Sequence, residues 1–215
     1  MESNYIKISY SIARNIITGA YKENALPTEV DLSKQYSVSR SSIREALKLL
    51  SAKGLLASKQ KSGTRITPRY QWNFVDPQLL EWSFDLPEMK CVIDRFVRVQ
   101  ELFAPEVCAE AANNATIEQR IELSKTIQAM ETHKSNYDIW IKLCHKFHCL
   151  LFSSSNNEVF TPYSKIFNII YSNDNASSIN MSQSKMSLYL DVYNSIMVAD
   201  HTKARKCGAL LFSKI

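Results

Sequence analysis

Hydroxyl and guanidinium side chains near residue 40 have the chemistry needed to bind a polyanion. The stretch VSRSSIREALKLLSAKGLL, residues 38–56, begins with polar groups and ends in leucines. Arg40 and Arg44 are four residues apart, so a helix would place both on one face. Arginine donates paired hydrogen bonds to guanine or phosphate, and serine hydroxyls bond phosphates or base edges. These residue types indicate nucleic-acid contact from the first turns of a helix.

The same stretch contains the signals that would form and orient this helix. Ser39 is a good N-cap because its hydroxyl can accept a hydrogen bond from an unpaired backbone N–H group. The helix should run to about Ser51, and Gly54 should end it. Its outer face would carry Arg40, Ser41, Arg44 and Lys48, and its inner face Ile43, Ala46, Leu47 and Leu50. The helix therefore presents a polar face to a partner and an apolar face to a core.

Two further helices should precede this one and complete its core. Ile8, Ile12 and Ile16 recur every four residues, which predicts a helix over residues 5–20 with one apolar face. Thr28, followed by Asp31 three residues later, predicts a capped helix over residues 28–35. A three-helix core is the expected result.

A basic hairpin is predicted to follow. LLASKQ and TRIT are typical of short strands, joined by the tip Lys61-Ser62-Gly63. Lys61 and Arg65 would give the hairpin positive charge, and Gly63 would let its backbone approach DNA closely. Two helices at an angle, followed by a hairpin, constitute a winged helix-turn-helix. An ordinary amphipathic surface helix is the alternative, but it does not account for the hairpin and the charge together.

The charge distribution separates the chain into two parts. Residues 1–70 contain 12 Lys and Arg against 5 Asp and Glu, whereas residues 71–215 contain 14 against 16. A basic module joined to a nearly neutral one favours a nucleic-acid partner. No apolar run is long enough to span a bilayer, and the start of the chain does not have the pattern of a secretory signal. We expect a cytoplasmic protein.

The remainder of the sequence predicts a connector and a helical domain. The connector is rich in aromatic residues, so it should pack against a folded domain rather than extend into solvent; its sequence is PRYQWNFVDPQLLEWSFD. From about residue 86 the pattern indicates six or seven helices, with one loose stretch at residues 171–186. The fold class is mainly α, with a winged helix-turn-helix over residues 1–69, a connector over 70–85 and an all-helical domain over 86–215.

Five scattered cysteines contain no C-x-x-C pair, so we expect buried reduced thiols rather than disulfides or a four-thiolate zinc site. Cys144 and His148 share a helix face, and Cys149 and His145 lie beside them. Such a Cys–His pair could form a nucleophile. No orienting carboxylate, Gly-rich loop or strand-turn element accompanies the pair, so we expect no enzyme activity and no catalytic residue.

The first 70 residues resemble the GntR family of bacterial transcription regulators. The motifs are LPTEVDLSKQYSVSRSSIREALKLLSAKGLL and KSGTRITP. Val30 departs from the family, which usually has a DNA-contacting arginine at that position. The resemblance implies operator contacts from Ser39, Arg40, Ser41, Ser42, Arg44, Gly63 and Thr64, to which the basic wing adds Lys61 and Arg65. It also implies a cytoplasmic homodimer that more often represses than activates.

The second half resembles the all-helical FCD effector domain of the FadR subgroup. The resemblance rests on PEVCAEAANNAT, KFHCLLFSSSNNEVF and YLDVYNSIMVAD. The connector PRYQWNFVDPQLLEW is similar to the sugar-acid, galactonate-type branch of the family. An effector that is a small carboxylate is therefore implied.

The family's metal and effector residues are mostly replaced in this chain. Its Asp and three His ligands fall at Cys144, His148, Tyr189 and Leu211, so only His148 is kept and we expect no metal cofactor. The arginine that holds the effector carboxylate falls at Gln100, which has no charge to offset burial of that carboxylate. Gln100, Cys144, His148 and Tyr189 would line the effector pocket. Two alternatives stay open: a regulator with a changed effector, or a DNA-binding dimer whose helical half is only a scaffold.

Overall fold

The chain forms two compact units, Met1–Lys90 and Cys91–Ile215. The structure is a computed structural model, and it describes residues 4–21, 25–59, 63–172 and 182–213. Lys61, predicted as a DNA contact, lies outside the described residues, as does most of the stretch 171–186 predicted to be loose. None of the described helices is both long enough and apolar enough to cross a membrane.

Three helices and a hairpin form the first unit, and together they confirm the predicted fold class. Their bounds are α1 Asn4–Ile17, α2 Glu29–Tyr36, α3 Arg40–Ala52, β1 Leu56–Lys59 and β2 Gly63–Ile66. The two strands are antiparallel, with Leu56 opposite Ile66 and Lys59 opposite Gly63. The unit is a winged helix-turn-helix.

The core of this unit is made by the faces that the periodicity predicts. Ile8, Ile12 and Ile16 of α1 are buried, and so are Ile43 and Leu50 of α3. α1 ends three residues earlier than predicted, because Gly19 adopts a positive φ of 71° just beyond it. The helix starts follow their caps, since Thr28 accepts a hydrogen bond from the Asp31 N–H at 3.2 Å.

The connector is attached to the winged helix by charged and aromatic contacts. It contains short 3-10 turns at Arg69–Gln71 and Pro87–Met89 and a one-turn helix, α4, at Pro77–Glu81. The buried Lys53 ammonium, at the end of α3, bonds Asp76 at 2.6 Å and lies 5.3 Å from the Trp82 ring centre. Arg14 of α1 bonds both carboxylate oxygens of Asp85. The connector therefore packs against the winged helix, as its aromatic composition predicts. The domain boundaries at residues 69 and 85 stay a prediction.

Six α-helices make up the described part of the second unit. They are α5 Lys90–Asn114, α6 Ile117–Thr132, α7 Tyr137–Ser154, α8 Thr161–Tyr171, α9 Met186–Met197 and α10 His201–Phe212. α7 packs on α6 and α8, and α9 packs on α6 and α10. Large side chains such as Trp140, Phe147 and Phe152 of α7 are completely buried, so α7 runs through the middle of this bundle.

All five cysteines are free thiols, but they are not all buried. Cys108, Cys144 and Cys207 are buried, Cys149 is half-buried and Cys91 is exposed. The expectation of buried thiols is wrong for Cys91, which occupies the first turn of α5, where one side of the helix meets solvent.

Candidate DNA-binding and effector sites

The start of α3 combines an N-cap with a cluster of hydroxyl groups. Ser39 has extended backbone angles and accepts a hydrogen bond from the Ser42 N–H at 3.3 Å. Its hydroxyl also lies 2.8 Å from that of Ser41 and 3.0 Å from that of Ser42. Backbone N–H groups at a helix start favour anions, so three hydroxyls and the helix end offer hydrogen bonds to a phosphate from one place.

Two arginines extend this surface along the helix. Arg40 and Arg44 are both exposed and share one face of α3. The Arg44 Nε–H group donates to the Glu29 carboxylate at 2.8 Å, which links α3 to the first turn of α2. Arginine has five N–H donors in a planar fork, and this side chain is 65% exposed. The guanidinium is therefore oriented by Glu29 and still open to solvent.

The wing adds a second basic surface. Gly63 begins β2 with a positive φ of 74°, and an added Cβ there would meet no atom within 4 Å. Arg65 is exposed, and Thr64 is half-buried. β2 pairs with β1 and its Arg65 also forms a bridge with Ala25. The predicted DNA contacts within the described residues thus fall on two elements of one unit, the α3 start and the wing.

The predicted effector residues meet in the interior of the helical unit. Gln100 of α5, Cys144 and His148 of α7, and Tyr189 of α9 are all buried. The His148 Nε2 atom lies 3.1 Å from the Tyr189 hydroxyl, and the Tyr189 hydroxyl interacts with the Cys144 thiol. The four side chains predicted from the sequence therefore belong to one buried cluster.

Tyr171, at the end of α8, joins Gln100 to this cluster and was missed from the sequence. The Gln100 amide donates to the Tyr171 hydroxyl, which lies 3.2 Å from Nδ1 of His148. Tyr163, Phe167 and Tyr171 recur every four residues, and this spacing in the sequence indicates an aromatic face on α8. Which ring would reach His148 depends on packing between α7 and α8. We call Gln100, Tyr171, His148, Tyr189 and Cys144 the buried network.

The directions of the hydrogen bonds determine which nitrogen of His148 holds the proton. Because Tyr171 accepts from Gln100, its own O–H is available to donate to Nδ1 of His148. We therefore assign the His148 proton to Nε2, which donates to Tyr189. Burial, together with the smaller electrostatic effects of His145 and Lys185, lowers the pKa of His148 to about 3. His148 is neutral at physiological pH.

The other members of the network are neutral for the same reason. Burial raises the pKa of the Cys144 thiol to about 12, and it raises the pKa values of Tyr171 and Tyr189 well above the ordinary value. Nearby, burial raises the pKa of Cys149 to about 12 and lowers that of His145 to about 4. A catalytic thiol needs a lowered pKa, so neither cysteine has the environment of a nucleophile.

These residues do not fit a divalent metal. In neutral imidazole only one nitrogen has a free electron pair, and that of His148 accepts a hydrogen bond from Tyr171. Leu211 has no donor atom, and Tyr189 offers only a phenol in place of an imidazole. Over the described ranges, no cluster of three or more His, Cys, Asp or Glu side chains is placed to bind a metal ion.

The burial of Lys185 is a second feature that the sequence does not predict. This residue ends a 3-10 turn at Gln183–Lys185 and is only 6% exposed. Its stretch has no hydrophobic periodicity that would predict burial of a lysine. Burial lowers the pKa of Lys185, and the charge of Glu101 opposes that effect.

A winged helix that presents hydroxyls and arginines, followed by a helical bundle with a buried polar network, defines a DNA-binding regulator with an effector domain. The family of bacterial regulatory proteins named gntR matches residues 4–66, and the FCD domain matches residues 96–206. The chain belongs to the GntR family and has the domain pair of its FadR-type subgroup.

Individual relatives agree with this assignment. The HTH-type transcriptional regulator YieP of Escherichia coli K12 is 31% identical over 210 residues, which cover 96% of this chain and 91% of that protein. The galactonate operon transcriptional repressor of the same organism is 26% identical, covering 71% and 67% of the two chains. The chain is a DNA-binding transcription regulator, and its relatives are regulators rather than enzymes.

Solved structures support the fold. A GntR protein of Streptococcus agalactiae aligns over 97% of this chain and 96% of its own, with a TM-score of 0.50 and 21% identity. The Listeria monocytogenes protein Lar aligns over 99% and 94% of the two chains, with a TM-score of 0.56 and 18% identity.

Proposed function

We propose that this regulator is a cytoplasmic homodimer that represses a metabolic operon and responds to a small carboxylate, such as a sugar acid. Its DNA-binding module would be residues 1–69, its connector 70–85 and its effector and dimerisation domain 86–215. The observation that carries the proposal is the exposed cluster of hydroxyls and arginines at the capped start of α3.

The geometry of that cluster supports the proposed DNA contacts. The first turn of a recognition helix meets base edges and phosphates in the major groove. We assign this role to Ser39, Arg40, Ser41, Ser42 and Arg44, and the contact of the wing to Lys61, Gly63, Thr64 and Arg65. Arg44 has the chemistry to bond guanine bidentately, and Glu29 orients it for that contact.

The dimer and the effector rest on separate arguments. Helix-turn-helix regulators usually bind paired half-sites as dimers, which supports the homodimer. The galactonate operon repressor supports repression and a sugar-acid ligand by likeness. The buried network around His148 supports a ligand site because it gathers polar side chains from α5, α7, α8 and α9 in an apolar bundle.

A selected-operator experiment tests this function. The wild-type chain would first select its preferred duplex from a random-sequence pool. We expect Arg44→Ala to weaken binding to that duplex by about 1–3 kcal/mol, roughly 5- to 150-fold, with an unchanged thermal midpoint.

Arg98→Ala is the matched control. Its side chain is 67% exposed and bonds Glu101 at 2.8 Å, much as Arg44 bonds Glu29, but it lies on the helical unit. Arg98→Ala should leave DNA affinity unchanged. Equal affinities of Arg44→Ala and wild type would show that α3 is not the recognition helix. Failure of the wild type to enrich any sequence would contradict the function itself.

A further inference from the structure

The start of α2 is acidic, although it lies beside the helix that we assign to the major groove. Its first turn contains the carboxylates of Glu29 and Asp31. Asp31 takes part in the cap of this helix, because its side chain accepts a hydrogen bond from the Thr28 hydroxyl at 2.6 Å. A carboxylate repels the phosphates of DNA, so a carboxylate on this surface needs a hydrogen-bond donor that offsets the repulsion.

The Glu29 carboxylate is held against the side of the Arg44 guanidinium. Its Oε2 atom accepts from Nε of Arg44 at 2.8 Å, and the two side chains are 38% and 65% exposed. This bond leaves Nη1 and Nη2 of Arg44 as the parallel pair of donors that a guanine edge requires. Over the described residues, Oε1 of Glu29 accepts no hydrogen bond. One acceptor atom of Glu29 is therefore open beside the arginine fork.

The spacing of these two groups is close to the spacing of stacked bases. Successive bases of a DNA strand are about 3.4 Å apart along the helix axis, and Oε2 of Glu29 lies 2.8 Å from Nε of Arg44. If the terminal nitrogens of Arg44 bond a guanine, the carboxylate therefore lies at the level of the neighbouring base pair. Glu29 is placed to contact a second base rather than a phosphate.

The chemistry of a carboxylate selects one base at that neighbouring pair. An ionised carboxylate only accepts hydrogen bonds. In the major groove, cytosine presents an amino donor and no acceptor, whereas adenine presents its amino group beside the acceptor N7. Guanine and thymine present acceptors there, which a carboxylate repels. Cytosine is thus the base whose edge complements Glu29 without repulsion.

We propose that Glu29 determines operator specificity by accepting a hydrogen bond from a cytosine amino group. This cytosine lies, on either strand, at the base pair next to the guanine that Arg44 bonds. The proposal rests on the proposed function, because it requires α3 to lie in the major groove. Glu29 then has two roles, since it orients Arg44 and selects the base at a neighbouring position.

Glu29 could instead serve only to orient Arg44, and Glu29→Gln separates the two roles. The glutamine oxygen can still accept from Nε of Arg44, but its amide adds an N–H donor and favours adenine, which glutamine bonds bidentately. Glu106→Gln is the matched control. The Glu106 carboxylate accepts from Nε of Arg205 at 2.6 Å, in the same manner, but it lies on the helical unit.

The experiment selects duplexes from a random-sequence pool with the full-length wild type, Glu29→Gln, Glu106→Gln and Arg44→Ala in parallel. The guanine position is the one at which Arg44→Ala loses its preference. Wild type and Glu106→Gln should enrich cytosine beside that guanine, whereas Glu29→Gln should keep the guanine and lose the cytosine preference. Replacing the cytosine pair should weaken wild-type binding by about 5- to 150-fold, the usual cost of one mismatched pair. The same replacement should change the affinity of Glu29→Gln much less.

Three results would overturn the proposal. The wild type could show no cytosine preference beside the guanine, or Glu29→Gln could keep the wild-type preference at that pair. Loss of only the guanine preference in Glu29→Gln would show that Glu29 orients Arg44 and contacts no base. Failure of the wild type to enrich any sequence, or equal sequence preferences of Arg44→Ala and wild type, would contradict the proposed function itself. Equal thermal midpoints of all four proteins establish that the variants are folded.

Discussion

The two units place their functional polar groups in opposite surroundings. Arg40, Ser41 and Arg44 lie on an outer helix face in water, whereas His148 and Tyr189 are enclosed by helices. Exposed groups on a rigid helix can bind a macromolecule without rearrangement. Enclosed groups must satisfy one another until a ligand replaces a partner. The contrast separates an exposed surface suited to DNA from an enclosed polar network for which we propose a small-molecule ligand.

Removing the centre of the buried network should have the largest effect. His148→Ala removes the imidazole partner of two buried tyrosine hydroxyls and opens a cavity, so we expect the free energy of unfolding of the helical unit to fall by about 3–5 kcal/mol. Calorimetric or denaturant unfolding measures the loss. His201→Ala, at an exposed histidine, should change it by less than about 0.5 kcal/mol. Similar small effects of both variants would show that the network is not a structural unit.

Acid should weaken the buried network and not the DNA-binding surface. The pKa of His148 is about 3 in the folded chain, below its ordinary value of 6.5, so the unfolded state binds the proton first. Stability is complete above pH 6.5 and falls as the pH drops toward 3, by about 1.4 kcal/mol per unit. His145, with a pKa of about 4, acts in the same direction.

The pH dependence is measured by unfolding between pH 7 and pH 5, where His148 should account for a loss of about 2 kcal/mol. The groups that face His148 are His145 and Cys144 on its own helix, Tyr171, Tyr189 and Lys185. His148→Gln should lose less stability over this range than the wild type. Parallel curves for the two proteins would show that His148 is not buried in neutral form.

The smallest effect on stability is expected at the start of α3, where two roles of Ser39 can be separated. Ser39→Ala removes the cap and should cost about 1 kcal/mol of unfolding free energy. Ser39→Asp keeps a capping oxygen and adds a negative charge that would face DNA phosphates. We expect Ser39→Asp to have wild-type stability and weaker operator binding. Wild-type operator affinity for Ser39→Asp would place DNA away from this helix end.

The sequence predicts the winged unit well because its signals are local. The caps at Thr28 and Ser39 and the apolar face of α1 depend on residues three or four positions apart, and the structure confirms all of them. Element ends differ by up to three residues, as at Ile17, because turns beyond the helix decide where it stops.

The buried network was only partly predictable because its partners are distant in sequence. Gln100 and Tyr171 are separated by 71 residues, and nothing local shows that they meet. Lys185 has no pattern that predicts burial, because the backbone carbonyls that hold it lie at the end of α10. Resemblance identified Gln100, Cys144, His148 and Tyr189 as pocket positions, while packing alone reveals what surrounds them.

The most direct test of the account is the affinity for the selected operator with and without each of three sugar acids, D-galactonate, D-gluconate and D-glucuronate. We predict that one acid changes the operator affinity of the wild-type chain by about 5- to 150-fold, the usual range of coupling between two sites. Identical operator affinity with and without every acid would contradict the account, and would leave a DNA-binding dimer whose helical unit is a scaffold.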